Sequence, residues 1–257
     1  MSNAQHPGSG SGHPAAAGHS AGAGGPPPDL KRQFITFAFF KTSPKWRRLP
    51  AAEREASKSE FAAIVEEFRK QGMLILSYSL VGTRGDVDFM LWRISDELEP
   101  HQRMTTKLLN SKLGLYLTQP YHYLAMTKRS MYVEKHVHEG QSDSRGRIVP
   151  GEKKYLFVYP FWKTAEWYLL PMGERQRMMN EHIATGHKFP GVKVNTTYSF
   201  GLDDPEFVVA FESDKPTDFL DLVMVMRENE ARQYTLRDTP IFTCIRGNIG
   251  EVLNTIG

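Results

Sequence analysis

The sequence contains a single cysteine, Cys244, which excludes an intramolecular disulfide. It lies in the apolar run "PIFTCI", and we interpret it as a small buried residue. Long apolar runs are also missing, because none approaches the roughly 20 residues that a membrane-spanning helix needs. The N-terminus lacks a basic segment followed by an apolar one, so no secretion signal is predicted. We therefore expect a cytoplasmic protein without membrane insertion.

A dense block of basic residues is missing as well. The formal net charge is only +3 over 257 residues, so we expect no nucleic-acid partner. The same mild basicity suits a pocket for an anionic small molecule. With 40% hydrophobic residues, the chain has enough apolar material for the core of one large or two small domains.

Residues 1–30 are dominated by Gly, Ala, Ser and Pro and show no apolar periodicity. Such a segment buries too little surface to offset the entropy of ordering it, so we predict a disordered leader. Its three histidines, His6, His13 and His19, fit a spacer composition better than a metal site.

An internal repeat of about 120 residues organises the rest of the chain. "FFKTSPKWRRLPAAER" (39–54) and "FWKTAEWYLLPMGER" (161–175) share Lys-Thr, a Trp, Leu-Pro and Glu-Arg. Further on, "VGTRGDVDFMLWRIS" and "FGLDDPEFVVAFES" align as a strand end, a turn and a second strand. A unit of this length is too long for a solenoid repeat, so it indicates two copies of one small domain.

Hydrophobic periodicity divides each copy into the order β-α-β-β-α-β, which is the ferredoxin-like arrangement. In the second copy, the second helix is predicted to span "TDFLDLVMVMRENEARQY". We predict an α+β protein with tandem ferredoxin-like repeats that form a dimeric α/β-barrel-like protomer, with ligand space between helices and sheet. The predicted domains are 31–150, which includes a linker, and 151–257.

Two histidines stand near the end of the helix that follows Pro171. His182 is four residues after Met178 and therefore lies at the apolar stripe, whereas His187 is about 140° further around and is expected to face solvent. His182 is then either a core residue or a metal ligand. A single protein imidazole suits the iron of a haem, because the porphyrin supplies four other ligands.

Other candidate residues carry weaker signals. Tyr159 and Lys163 lie four residues apart at the end of a strand, where a phenol and an ammonium reach a carboxylate, although the spacing alone fits a half-buried Tyr and a surface Lys better. His136 and His138 form a weak metal pair or part of a solvated loop. Arg145 and Arg147 lie between the halves and either fold over an anion or are solvated.

The motif series "YLFVYPFWK", "EWYLLP", "MMNEH", "KFPGVKVNTTYSFGLDDPEFVVAFES" resembles the chlorite dismutase-like family, and within it the coproheme decarboxylases. The resemblance covers about residues 33 to 246 and includes the duplicated ferredoxin-like domains. It implies His182 as the proximal iron ligand, and Glu230 as a partner for its N–H. It also implies a homo-oligomer, a pentamer.

The same resemblance assigns chemistry to the second half. Tyr159 is implied as the redox tyrosine and Lys163 as the partner of a propionate, in a peroxide-dependent reaction that converts two propionates of iron-coproporphyrin III into vinyl groups and so makes haem b. Coproheme, its iron and hydrogen peroxide are thus the expected cofactor and partners. Tyr132, Arg145 and Arg147 are expected to anchor further carboxylates.

Asn195 bears on the choice between subfamilies. Chlorite dismutases carry a distal arginine thirteen residues after the proximal histidine, and this count reaches the neutral amide of Asn195. Many decarboxylases have a neutral amide there, so a distal Asn195 favours decarboxylation over chlorite turnover. A chlorite dismutase with an altered distal residue, a haem-binding carrier or sensor, and a duplication without cofactor remain as alternatives.

Overall fold

The computed structural model describes residues 31–132 and 146–257. Arg145, His136 and His138 lie outside the described residues. The first half follows the predicted order, with a helix after the first strand and another after the third. Its elements are β1 Phe34–Thr42, α1 Ala51–Lys70, β2 Leu74–Ser79, β3 Phe89–Ser95, α2 Glu99–Asn110 and β4 Leu117–Met126.

The second half repeats this order and adds three short elements. It comprises β5 Tyr155–Lys163, α3 Ala165–Leu169, α4 Met172–His187, β6 Lys193–Tyr198, β7 Phe207–Ser213, α5 Pro216–Met226, β8 Thr235–Arg237, β9 Phe242–Gly247 and α6 Ile249–Asn254. The helix predicted to run to Tyr234 was too long. It ends at Met226, because Asn229 adopts an extended backbone before a separate 3-10 turn, Glu230–Tyr234.

All the pairings between these strands are antiparallel, and eight of the nine strands form a ring in the order β7-β6-β4-β1-β3-β2-β9-β5, closed by pairing of β7 with β5. Each half contributes four strands in ferredoxin-like order, which confirms the predicted tandem repeat and the barrel-like protomer. The halves meet at two seams. One pairs Ser77–Ser79 of β2 with β9, and the other joins β4 to β6 through Met126 and Tyr198 alone.

Alternation along the strands fills the ring with apolar side chains. Phe37, Trp92, Val158 and Ala210 point inward and are buried, and Phe37 stacks on Trp92 at 5.6 Å. A large side chain such as Phe37 or Val158 contributes roughly 1.5–3 kcal/mol by burial. Outside the ring, one layer of helices covers the sheet of each half, and a candidate site must lie in one of these layers or at the ends of the ring.

Helix α6 was not predicted, although its sequence carries a signal. The Asn248 side chain accepts a hydrogen bond from the Glu251 amide, and the Glu251 carboxylate accepts one from the Asn248 amide, each at 2.9 Å. This capping box fixes the start of the helix. α6 buries Ile249, Val252 and Leu253 against α1 of the first half, so the end of the chain helps to cover the first sheet.

The seam along β4 is completed by side chains. The Leu124 amide donates to Asp203 Oδ2 at 2.8 Å, and the Ser199 hydroxyl donates to the Leu124 carbonyl. Pro120 also lies in this strand.

Among the described residues, no helix is long and apolar enough to cross a membrane.

Candidate functional site

His182 lies on α4 in the row of Met178, as predicted from spacing, and its side chain is partly buried. Burial, and then the nearby charge of Lys163, lower the pKa of His182 to about 4. The imidazole is therefore neutral at pH 7, which is the form that ligates iron. Within the described part of the chain, neither ring nitrogen has a hydrogen-bond partner. His187, at the end of the helix, is exposed.

Helix α4 is packed unlike its counterpart in the first half. Of its 16 residues only Met178 and Thr185 are buried, whereas α1 fills its side of the first sheet with Phe61, Val65 and Phe68. The apolar cluster beneath the helices of the second half is built by Phe157, Phe219 and other residues of β5, α5 and the loop after α4, and no residue of α4 belongs to it. The side chains that α4 directs toward the sheet, His182 among them, are thus not part of a filled core.

Tyr159 lies on the face of β5 that these helices cover. It pairs with Val209 across β5 and β7, and its ring stacks on Phe211 at 5.8 Å. Burial raises the pKa of the phenol, and the carboxylate of Asp238 raises it further, against the opposing charges of two arginines. Tyr159 is therefore a neutral phenol beside a cluster of charges.

Lys163, at the end of the same strand, connects Tyr159 with His182. Its ammonium donates to the Ala231 carbonyl at 2.9 Å and lies 4.3 Å from the centre of the Trp167 ring. Burial lowers its pKa to about 8, and the charge of Arg232 contributes. The charge of Lys163 also acts on His182, and Arg232 acts on both Lys163 and Tyr159, so the three side chains belong to one region between α4 and the sheet.

Three charged residues of this region were missed by the sequence analysis. Asp238 Oδ2 accepts from Arg227 at 2.5 Å and lies 3.3 Å from Arg232, and all three charges act on Tyr159. The segment "MRENEARQYTLRD" carries them at irregular spacing, so only its density of arginines signals an anion site. Two guanidinium groups next to a lysine favour a ligand with several carboxylates.

Tyr132 is placed near this region, because its carbonyl accepts from Gln176 of α4 at 3.0 Å and its ring contacts Trp167 at 6.3 Å between centres. Arg147 is placed elsewhere. It donates to Asp96 at 2.6 Å and to the Lys31 carbonyl at 2.8 Å, both in the first half. The position of Arg147 therefore does not support its expected role as an anchor for a carboxylate, because the linker places it beside the first half.

Glu230 does not contact His182 as expected. It lies in the 3-10 turn rather than on a helix, and both its oxygens accept from Arg177 at 2.7 Å. This exposed bidentate pair explains the position of the Glu230 carboxylate, and Arg177 lowers its pKa. The family resemblance implied Glu230 as a partner of His182 on the final helix, but α5 ends at Met226, before Glu230.

Asn195 lies on the opposite face of the sheet from Tyr159. It pairs with Ala210, which points into the ring, and its amide donates to Glu212 Oε1 at 2.9 Å. The Asn195 side chain therefore does not point toward the distal position that was expected for it. Counting thirteen residues from the proximal histidine does not take into account that successive side chains of β6 point to opposite faces of the sheet. Thr196, its neighbour, pairs with Val209 and lies on the face that carries Tyr159.

A cavity of about 320 Å³ lies between α4 and α5, lined by Glu181, Thr185 and Asn229 among others. Tyr159, Lys163 and His182 do not line it, so we do not place the candidate site there. Within residues 31–132 and 146–257, no three His, Cys, Asp or Glu side chains gather as a metal cluster.

The sequence of residues 54–247 matches the family model described as chlorite dismutase. The chain belongs to the chlorite dismutase family. This match spans most of the chain and includes every residue of the region around His182. Membership confirms the resemblance that the motifs indicated.

Known members of this family differ in their activities. The coproheme decarboxylase of Mycolicibacterium smegmatis (strain ATCC 700084 / mc(2)155) is 29% identical over 225 residues, which cover 86% of this chain and 93% of that protein. A structure of chlorite dismutase from Candidatus Nitrospira defluvii in complex with imidazole is 27% identical with a TM-score of 0.78, covering 86% of this chain and 94% of that one.

A third relative supports the fold alone. A haem-binding protein from Thermus thermophilus is 24% identical, with a TM-score of 0.79, and the alignment covers 88% of this chain and 95% of that one. The similarity of these structures extends over both halves. The tandem arrangement of the two ferredoxin-like units is thus common to them and to this chain.

Proposed function

We propose that this chain is a coproheme decarboxylase, which uses hydrogen peroxide to convert two propionates of iron-coproporphyrin III into vinyl groups and releases haem b. The observation that supports the proposal is that β5 carries a half-buried phenol and a half-buried ammonium, Tyr159 and Lys163, and that the charge of Lys163 acts on the neutral imidazole of His182 on α4. The curated relative from M. smegmatis, similar over 86% of the chain, bears the same activity.

The residues present fit an iron porphyrin with carboxylate groups. His182 offers a neutral nitrogen without a hydrogen-bond partner among the described residues, and α4 is not packed onto the sheet by apolar side chains. Lys163, Arg227 and Arg232 supply cations for propionates. A substrate with four carboxylates needs several such partners, because each buried anion must be paired.

The chain's own residues have distinct roles in this proposal. His182 holds the iron, and the bound porphyrin supplies the redox chemistry with peroxide. Tyr159 would lose an electron and its proton and then remove a hydrogen atom from the propionate beside it. A second electron leaves as CO2 and the vinyl group form, and one peroxide per propionate accepts both electrons and is reduced to two waters. Lys163 pairs with that carboxylate until CO2 leaves.

The direct test is to add iron-coproporphyrin III to the protein, titrate peroxide and follow the porphyrin by mass spectrometry. We expect successive loss of two carboxyl groups to give haem b. Tyr159→Phe should bind the porphyrin as the wild type does but yield no vinyl product. Normal decarboxylation by this variant would contradict the role of Tyr159, and a bound but unreacted porphyrin in the wild type would contradict the whole proposal.

Chlorite turnover is the second candidate, since solved chlorite dismutases share the fold at 27% identity. Asn195 points away from the face of the sheet that carries Tyr159. It therefore does not help to distinguish decarboxylation from chlorite turnover. The arginines and Lys163 beside Tyr159 favour the decarboxylase, because they suit propionates. Oxygen release on adding chlorite to the haem-loaded protein, with coproheme left unchanged by peroxide, would favour the dismutase instead. Cytoplasmic location and a pentameric assembly are proposed with the decarboxylase activity.

A further inference from the structure

Asp238 is held beside the candidate site by a strand pairing. It directly follows β8, and β8 pairs with Trp162 and Lys163 at the end of β5. The Asp238 side chain is 15% exposed, whereas those of Arg227 and Arg232 are 39% and 34% exposed. The carboxylate is therefore the most buried member of this ion cluster, and its charge acts on Tyr159.

One oxygen of Asp238 serves both guanidinium groups. Arg227 lies 2.5 Å from Asp238 Oδ2, and Arg232 lies 3.3 Å from the same atom. Each guanidinium has five N–H donors, and a planar carboxylate can accept two of them side by side. Two cations that share one oxygen of one anion retain unused donors and a net positive charge. The cluster therefore favours a further carboxylate.

We propose that Asp238 occupies the position of a substrate carboxylate in the ligand-free protein and is exchanged for a propionate when the porphyrin binds. This inference rests on the proposed function and adds a residue that determines specificity. Exchange of one carboxylate for another keeps Arg227 and Arg232 paired in both states, so neither guanidinium loses its carboxylate partner. A porphyrin without a propionate at this position cannot displace Asp238 and gains nothing from the arginines.

A different role for Asp238 makes the opposite prediction. If Asp238 only aligns the arginines and stays in place when the porphyrin binds, then its removal should weaken porphyrin binding. If Asp238 competes with the propionate, its removal should strengthen binding. The sign of the change in affinity therefore separates the two roles.

The experiment measures the Kd of iron-coproporphyrin III by absorbance, without peroxide, for the wild type and Asp238→Asn. The substitution keeps the shape of the side chain and removes its charge. We expect the Kd of the variant to fall about tenfold, which corresponds to about 1.4 kcal/mol. The tetramethyl ester of the same porphyrin has no carboxylates, so its Kd should not change.

A matched control and a double variant complete the design. Asp214→Asn removes a carboxylate that pairs with Lys153 at the surface, and it should leave both Kd values unchanged. In an Arg227→Gln background, the decrease in Kd caused by Asp238→Asn should be at least threefold smaller, because one of the two guanidinium groups for which the carboxylates compete is gone. Thermal unfolding of each variant verifies that it is folded.

Each outcome decides one claim. The exchange of Asp238 for a propionate is overturned if folded Asp238→Asn binds iron-coproporphyrin III more weakly than the wild type. It is also overturned if the variant binds the porphyrin and its tetramethyl ester more tightly by the same factor. Both results leave the proposed function standing. Tighter binding of the acid alone supports the exchange, even if peroxide then yields no vinyl product and the proposed reaction fails. Failure of the folded wild type to bind iron-coproporphyrin III overturns both.

Discussion

Asn195→Ala should lower stability rather than remove activity. Glu212 is 1% exposed, and its Oε1 accepts from the Asn195 amide at 2.9 Å and from the Gly151 amide at 3.0 Å. Its Oε2 has no hydrogen-bond partner among the described residues. Removing the Asn195 amide leaves a buried carboxylate with one strong donor fewer.

The size of this loss follows from hydrogen bonds to charged groups, which contribute about 1.5–3 kcal/mol each. We expect the free energy of unfolding to fall by about 2 kcal/mol. For a chain of this size, that corresponds to a decrease in Tm of roughly 4–8 °C. Differential scanning calorimetry and chemical unfolding of the purified variant measure the two quantities.

Thr196→Ala is the control for stability, because Thr196 is exposed on the neighbouring position of β6. It should change the free energy of unfolding by less than about 0.5 kcal/mol. For Asn195→Ala, the Kd of iron-coproporphyrin III should remain within about twofold of the wild type. An unchanged Tm together with lost porphyrin binding or turnover would refute the reasoning and return Asn195 to the distal side.

Two further predictions concern charge near His182. The pKa of Lys163 is lowered to about 8, first by burial and then by Arg232, so the ammonium that attracts a propionate is present below pH 8 and lost above it. Affinity for iron-coproporphyrin III should therefore decrease as pH rises through 8, and Lys163→Met should abolish this inflection in a Kd–pH profile. Glu230→Gln should leave the absorbance spectrum of the haem-loaded protein unchanged, because Glu230 pairs with Arg177; a shifted Soret band would show contact with His182.

The repeat was predictable because the same motifs occur in the same order in both halves of the sequence. Strand and helix periods gave the same order in both copies, and the ring of strands follows from joining two such sheets. Helix α6 was overlooked although the pattern of Asn248 and Glu251 is a recognised start signal. The short strand β8 has only three residues, too few for periodicity to reveal.

The candidate site was predictable where roles depend on local spacing. His182 follows from its row on α4, and Tyr159 and Lys163 from the exit of one strand. Positions that depend on distant packing could not be inferred. Asn195 turns inward because the register of β6 with β7 sets its direction, and Arg147 is paired with Asp96 of the first half.

The weak seam between β4 and β6 has a consequence for how the chain behaves at high concentration. A strand with open backbone groups is a template for strands of other molecules, and such pairing leads to aggregation. Here the Leu124 amide and carbonyl are already bonded by Asp203 and Ser199, and Pro120 lacks an amide hydrogen. The least paired edge of the ring is thus blocked against intermolecular strand addition by two polar side chains and a proline.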